Sequence, residues 1–220
     1  MPMILIATAQ QLRKVWNNPL CSEVIDASIN EIFNDFMDYE QKALLETVGL
    51  NGERLDGPTG RCINPGHAIE TSWFIMEEYL HRNAVDKQML ENALLILNWS
   101  LKRGWDEKYG GILYFVDSED KPCVQYEHDM KLWWPHTESL YATLLAYNLT
   151  GEDIYLKWYQ KIYEWTYSHF PDKEDGEWYK YLHRDGSIST TLKGNGWAGP
   201  FHYPRMLFKC SKLLSKMIDE

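Results

Sequence analysis

Pro65-Gly66-His67-Ala68-Ile69-Glu70, Trp134-Pro135-His136-Thr137-Glu138 and Gly199-Pro200-Phe201-His202-Tyr203-Pro204-Arg205 share one layout, a histidine just past a proline or glycine at the start of an amphipathic run. The histidines lie 69 and 66 residues apart. An interval of that size holds two helices and their connections, so a chain of helical hairpins returns the same edge of the molecule to the same place each time. The three imidazoles are therefore expected to converge on one site.

Working outward from these motifs, hydrophobic periodicity predicts seven helices, at about residues 3–17, 20–37, 66–83, 86–103, 131–149, 152–169 and 199–217. Three connections are strand-like: Leu44 to Val48, the run Gly111-Ile112-Leu113-Tyr114-Phe115-Val116 after a double glycine, and Trp178-Tyr179-Lys180-Tyr181-Leu182 leading into the turn signal Asp185-Gly186. No strand alternates with helices as a parallel sheet requires, and no linker marks a second domain. The fold class read here is all-α, helical hairpins carrying short β-hairpin loops. The helices that begin with the histidine motifs hold the clustered His and Glu, whereas 86–103 and 152–169 carry solvated Lys and Glu. In a ring of such hairpins the first kind lines the centre and the second covers it.

Composition narrows the function classes. The chain has 220 residues, 45% of them hydrophobic, enough for a substantial core. Its 10 Trp and 14 Tyr suit either the gaps between large helices or a carbohydrate pocket, where flat rings meet C–H faces and the N–H or O–H meets hydroxyls. A formal net charge of −10 repels nucleic acid and anionic membrane surfaces, so neither is expected as a partner. Cys21, Cys62, Cys123 and Cys210 are widely spaced with no C-x-x-C pair, a usage that fits reduced thiols in the cytoplasm. The apolar start Met3-Ile4-Leu5-Ile6-Ala7 lacks a basic leader and is too short to span a bilayer. Asn98-Trp99-Ser100 and Asn148-Leu149-Thr150 match glycosylation acceptors but fall inside predicted helices, so they read as chance.

Two patterns look like binding motifs and lack the context for it. His67-x-x-Glu70 with Glu127-His128-Asp129 offers ligand types for a metal without the repeated paired motif of a bundle site, so no metal is expected. Gly194-Asn195-Gly196-Trp197-Ala198-Gly199 matches G-x-G-x-x-G as a string but has no strand–helix–strand setting. Its glycines are expected to turn the chain into the helix carrying His202.

Four segments in order carry a family resemblance: P-G-H-A-I-E-T-S-W at 65–73, G-W-D-E-K-Y-G-G-I-L-Y-F at 104–115, K-L-W-W-P-H-T-E at 131–138 and G-P-F-H-Y-P-R at 199–205. Together they resemble the consecutive signatures of the N-acylglucosamine 2-epimerase (renin-binding protein) family. The P-H-T-E form is more similar to the N-acylglucosamine branch than to the cellobiose 2-epimerase branch, where a different residue is expected in place of His136. The resemblance implies an (α/α)6 barrel of twelve helices, of which this chain supplies about seven. Met1-Pro2-Met3 resembles an interior point of the family sequence, so residues 1–220 are expected to form the C-terminal portion of one barrel domain, with the N-terminal half absent. A pocket arginine of the family lies in that half and has no counterpart here.

The implied activity is interconversion of N-acetylglucosamine and N-acetylmannosamine, a cytoplasmic step of amino-sugar and sialic acid metabolism. Inverting a sugar carbon beside a carbonyl means removing a C–H proton from one face and returning one to the other. Two groups titrating near neutral pH on opposite faces meet that need, and histidine is the side chain whose ordinary pKa lies there. His67 and His202 are the expected catalytic pair, matching the family's P-G-H-x-x-E and F-H-x-P-R motifs. A helix N-terminus disfavours imidazolium and keeps such a histidine available as a base. Glu70, Trp134, His136, Glu138 and Arg205 are expected to bind substrate, Glu70 with the further option of fixing the His67 tautomer and Trp134 as a ring platform. His81, His128, His169 and His183 lie outside the motifs and read as ordinary surface or packing residues.

The chemistry requires no cofactor. Nucleotides such as ATP activate members of the family, but a Gly-Lys-Ser phosphate loop is missing from this sequence, and only an effector role is left open. The alternatives are a cellobiose 2-epimerase or aldose–ketose isomerase on the same scaffold, and a non-catalytic half-barrel serving as a binding partner. An open half-barrel exposes the apolar sides of its inner helices, so self-association or pairing with an N-terminal half-barrel is expected.

Overall fold

The computed structural model describes residues 1–16 and 18–219. The helices are α1 (Met3–Arg13), α2 (Pro19–Glu31, continued by a wide turn through Phe36), α3 (Gly57–Arg61), α4 (Pro65–His81), α5 (Lys87–Gly104), α6 (Trp133–Thr150), α7 (Asp153–His169) and α8 (His202–Asp219). All seven helices expected from periodicity are present, and the short α3 is additional. Hairpins α1/α2, α4/α5 and α6/α7 stand side by side: α4 packs against α1 and α6, and α6 against α8. The result is a two-layered arc with α1, α4, α6 and α8 on the inside and α2, α5 and α7 outside.

Local signals explain where the helices start and stop. Asn64 caps α4 by accepting the His67 N–H at 3.0 Å, and Pro65 follows at the first helical position. Asp86 caps α5 through the Met89 N–H at 3.1 Å. Gly151 ends α6 in the left-handed conformation, φ 70°, where a side chain is strained. Inner α6 is buried from Trp133 through Ala146 on every face. Its Thr137, Ser139 and Thr143 hydroxyls satisfy themselves by donating to carbonyls three or four residues back, at 2.9, 2.6 and 2.7 Å. The acceptor-like Asn98 and Asn148 both lie within helices, as expected, and the four cysteines are free. None of the described helices is long and apolar enough to cross a membrane.

The strands differ from the expectation in what they pair with. Met37–Asp38 (β1) and Ala43–Leu44 (β2) form a local hairpin, but Cys62–Ile63 (β3) pairs with Val116–Asp117 (β4), and Lys131–Leu132 (β5) with Tyr181–Leu182 (β6), all antiparallel. The apolar runs at 111–116 and 178–182 therefore contribute only their ends, and each ladder is built on the residues just ahead of α4 or α6. Two-residue strands have too few hydrogen bonds to stand alone, so they add to the backbone that enters the inner helices. The long connections are thereby fastened to the helix starts that carry the histidines.

A buried ion cluster strengthens the second ladder. Asp106 accepts from Lys131 Nζ at 3.0 Å and Arg184 Nε at 2.8 Å, with Lys131 and Asp106 almost fully enclosed. Burial alone raises the Asp106 carboxyl, yet Arg184 and Lys131 hold it well below the usual carboxylate range. Burial pushes the Lys131 ammonium down to about 8.

Candidate active site

The N-terminal ends of α4, α6 and α8 border a cavity of about 650 Å³ whose walls include His67, His202, Trp133, Trp134, Tyr114, Tyr181 and Trp197. Trp134 is the platform. Its indole lies 5.1 Å from the His67 ring and 5.5 Å from the His202 ring, tilted by 32° and 35°. Tyr114 meets the same indole edge-on at 6.2 Å. Gly66 makes this approach possible, because a Cβ there would sit 2.5 Å from the Trp134 ring. The motif glycine before His67 is thus a contact requirement as well as a helix-start signal.

Each of the two histidines is held through Nδ1 by a carboxylate. His202 Nδ1 lies 2.7 Å from Glu138 Oε1, and His67 Nδ1 lies 2.9 Å from Glu46 Oε1. A carboxylate accepts and does not donate, so Nδ1 carries the proton in both rings. That tautomer leaves each Nε2 as the ring atom free to exchange a proton with a ligand.

Behind His202 stands a nest of buried charge. Glu138, 2% exposed, also accepts from Trp73 Nε1 at 2.8 Å and from Arg205 at 2.8 Å. Arg205 simultaneously pairs with Glu70, itself 3% exposed. Burial and the Glu138 charge raise the Glu70 carboxyl, partly offset by Arg205. Glu138 is lowered: burial opposes ionisation, but the His202 hydrogen bond and the Arg205 charge prevail. Ligand-type atoms of Glu70, Glu138 and His202 come within 4.8 Å of one another, an arrangement that attracts a cation, and Arg205 supplies it. The guanidinium also lies over the Phe201 ring at 4.3 Å and the Trp73 ring at 4.9 Å.

Not every expected residue reaches the histidine cavity. Glu70 and Arg205 open instead on a second cavity of about 640 Å³ between α1, α4 and α8, and Glu138 lies behind His202 with both oxygens engaged. His136 is the clear correction. It has no exposed surface, its Nδ1 lies 2.6 Å from the Leu132 carbonyl, and its Nε2 accepts the Ile112 N–H at 2.9 Å. The ring stacks on Trp165 at 4.8 Å, and burial pushes its pKa down to about 3. With both nitrogens occupied by backbone, this neutral imidazole clamps the 105–112 loop onto α6 and has no atom left for a sugar. Two imidazoles converge, not three.

Sequence reasoning missed Glu46, Tyr114, Tyr181 and Trp197. Glu46 sits in the strand-like 44–48 run, 21 residues from its partner His67, where no spacing rule connects them. Trp197 had a signal in the glycine string around it. Asn195 Oδ1 accepts the Trp197 and Ala198 N–H groups, both at 2.8 Å, folding 194–199 into a turn ahead of α8, as the glycines suggested.

Comparison with known proteins decides the family. Residues 3–200 match the description of N-acylglucosamine 2-epimerase (GlcNAc 2-epimerase). The chain belongs to the N-acylglucosamine 2-epimerase family. The Bos taurus N-acylglucosamine 2-epimerase is 38% identical over 81% of this chain and 42% of its own length. The Mus musculus enzyme is 33% identical over 99% of this chain and 52% of its own. The cellobiose 2-epimerase of Spirochaeta thermophila superposes with a TM-score of 0.82 at 18% identity, covering 99% of this chain and 52% of that one. The arc is thus part of the (α/α)6 barrel of this epimerase family. The chain spans about half the length of the curated relatives it matches.

Proposed function

We propose that this chain, within a complete ring, interconverts N-acetylglucosamine and N-acetylmannosamine by proton transfer at C2. The observation that carries the reading is the pair of imidazoles on one indole, each fixed through Nδ1 by a carboxylate and each bordering one cavity. In the open-chain sugar, Nε2 of one histidine takes the C2 proton and the electron pair moves toward C1–O, giving an enolate. Nε2 of the other, which enters the step already carrying a proton, returns it to the opposite face of C2, and the two histidines have exchanged protonation states at the end of the turnover. One proton leaves and one arrives with no change of oxidation state, so the chemistry calls for neither a redox cofactor nor a metal. The aromatic walls, Trp134, Tyr114 and Tyr181, supply apolar faces for the ring carbons and the acyl methyl group.

The remainder of the ring belongs to this proposal. Between α1 and α8 the second cavity is bordered by Ile4, Leu12, Phe201 and Phe208, which are 57%, 44%, 58% and 61% exposed. Monomers seldom leave such an apolar face open to water. The solved relative extends over about twice this span, so the occupant proposed for that face is the other part of the barrel, in the same polypeptide or in a second chain. A nucleotide acts in this reading only as an effector, and the setting is cytoplasmic amino-sugar metabolism.

Deuterium exchange tests the chemistry. Incubated in deuterated water with N-acetylmannosamine, the assembled ring is expected to place one deuterium at C2 of both sugars. Tight binding of the sugar without label at C2 overturns the mechanism; with mannose, which has a C2 hydroxyl, in place of N-acetylmannosamine, label at C1 of a ketose product points to an aldose–ketose isomerase.

A further inference from the structure

The two histidine–carboxylate pairs are not alike, and the difference isolates one residue outside every motif. Glu138 is fully enclosed and shares its charge with Arg205 and Trp73. Glu46 has a side chain 26% exposed, and His67, 33% exposed, is its ion-pair partner. The Glu46 backbone is set by two ladders at once. Leu45 N–H donates to the Phe36 carbonyl at 2.9 Å beside the β1/β2 hairpin, and Glu46 N–H donates to the Cys62 carbonyl at 3.1 Å next to β3. Cys62 and Ile63 lead directly into the Asn64 cap that fixes the His67 N–H. The segment just after β2 that holds Glu46 and the cap that holds His67 are therefore parts of one backbone frame.

Glu46 is the carboxylate that pairs with His67, at 2.9 Å. Burial pushes the Cys62 thiol up to about 11, with the Glu46 charge adding to the effect. Burial, Glu127 and Tyr181 raise the Tyr114 phenol, and Glu46 raises it further. Both stay neutral near pH 7. Glu127 and His202 border the same cavity on other segments.

We infer that Glu46 is a positioning residue for His67: by accepting the Nδ1 proton it fixes the ring tautomer and presents Nε2 to the sugar. In free histidine the proton prefers Nε2, so without Glu46 the reactive nitrogen of His67 carries a proton it should be ready to take. A carboxylate that holds a catalytic imidazole in one tautomer contributes large factors to rate elsewhere, and its loss leaves the ring in the wrong form. The catalytic consequence rests on the proton-transfer reading above; the tautomer itself does not.

The test is nitrogen-15 NMR of the histidine side chains in this chain as it stands, comparing the native protein with Glu46→Ala and Glu46→Gln. His67 is expected to show the Nδ1–H form in the native protein and to shift mainly to the Nε2–H form in Glu46→Ala. His136, whose two nitrogens are both bound to backbone, serves as an internal control for folding. In the assembled ring, Glu46→Ala is expected to lower the C2 exchange rate tenfold or more with KM little changed, and Glu46→Asp to recover part of it. An unchanged His67 tautomer, with His136 resonances intact, overturns the inference. A shifted tautomer together with no C2 exchange in the native ring leaves the inference standing and removes the proposed function instead.

Discussion

The first turns of α6 and α8 carry the same kind of motif and put their histidines to opposite uses. His136 gives Nδ1 to the Leu132 carbonyl and Nε2 to the Ile112 N–H, stacked on Trp165 with no exposed surface. His202 gives only Nδ1, to Glu138, and borders the cavity with the rest of its ring. The backbone setting is shared, so position at a helix start does not determine a histidine's role. The decisive difference is what meets the second nitrogen: a loop tied down by a β-bridge between Trp105 and Ile112 in one case, open space in the other.

Replacing each histidine in turn breaks or sharpens that contrast, with the largest effect at the cavity. His202→Asn and His67→Asn are expected to lower C2 exchange by about 10²- to 10⁴-fold, the usual span for a positioned acid or base, without loss of fold. His136→Leu is expected to act on stability instead. It leaves the buried Ile112 N–H without its acceptor, a cost of about 1–3 kcal/mol, read as a lower denaturant midpoint. A folded His136→Leu protein with a rate loss as large as that of His202→Asn would erase the distinction.

The charges behind the two histidines differ as sharply. The charge near His136 is Lys131, which helps push its imidazole down, whereas the Glu70–Arg205–Glu138 nest behind His202 depends on one guanidinium. Arg205→Met is expected to destabilise the protein by about 3–5 kcal/mol, because two enclosed carboxylates then face each other without a counter-charge. Glu70 is already the more easily protonated of the two, so lowering the pH should recover part of the loss, as should adding Glu70→Gln. Urea titrations of the variants at two pH values measure both effects, and an Arg205→Met protein as stable as the native one contradicts the ionic reading of the nest.

Much of this was legible in the sequence, and the failures share a cause. Helical periodicity located α1, α2, α4, α5, α7 and α8, since apolar positions recur on one side of each, and α6 was located by its long apolar run, which is enclosed on all faces. The Gly66-His67 and His202-Tyr203-Pro204-Arg205 motifs pointed to the candidate cavity because capping and glycine contact coincide with the histidines there. What stayed hidden depends on pairing across long intervals. Glu46 meets His67 because its N–H donates to the Cys62 carbonyl of β3, and the Trp133–Tyr181 contact, with ring centres 5.6 Å apart, lies on the β5/β6 ladder. His136 was misread for the same reason. Its partner Ile112 lies in a loop whose path is set by Gly110 and Gly111, both at positive φ against the Trp165 indole.

A smaller effect follows from the protonation of His136, the enclosed helix-start histidine. His136 is pushed down to about 3 in the folded protein, whereas a histidine in the unfolded chain titrates near about 6.5. Below that value the unfolded state binds a proton that the folded state refuses. The stabilisation from His136 is therefore complete above about pH 6.5 and declines as the pH falls toward 3, with a limiting slope of about 1.4 kcal/mol per pH unit. Urea midpoints measured from pH 7.5 down to 5 are expected to fall in the native protein and to fall less steeply in His136→Leu. Equal slopes would place the titrating group elsewhere.

The smallest expected change in stability comes from comparing the same two helices along their whole length. Inner α6 is enclosed on all faces, whereas α8, also inner, buries only Met206 and Cys210 and leaves Phe208 and Ile218 61% and 82% exposed. If that face is kept for the other part of the ring, its apolar residues contribute little to this chain alone and much to association. Phe208→Glu and Ile218→Glu are expected to shift stability by no more than about 0.5 kcal/mol, as surface substitutions usually do. Phe208→Glu should also lower the average mass in solution, because a charge in the groove beside Ile4 and Leu12 must be desolvated for a partner to seat. Light scattering across a concentration series measures this. A native chain that is monodisperse and monomeric throughout, or a Phe208→Glu variant that associates as readily as it does, would show that the open face of α8 is not a contact surface.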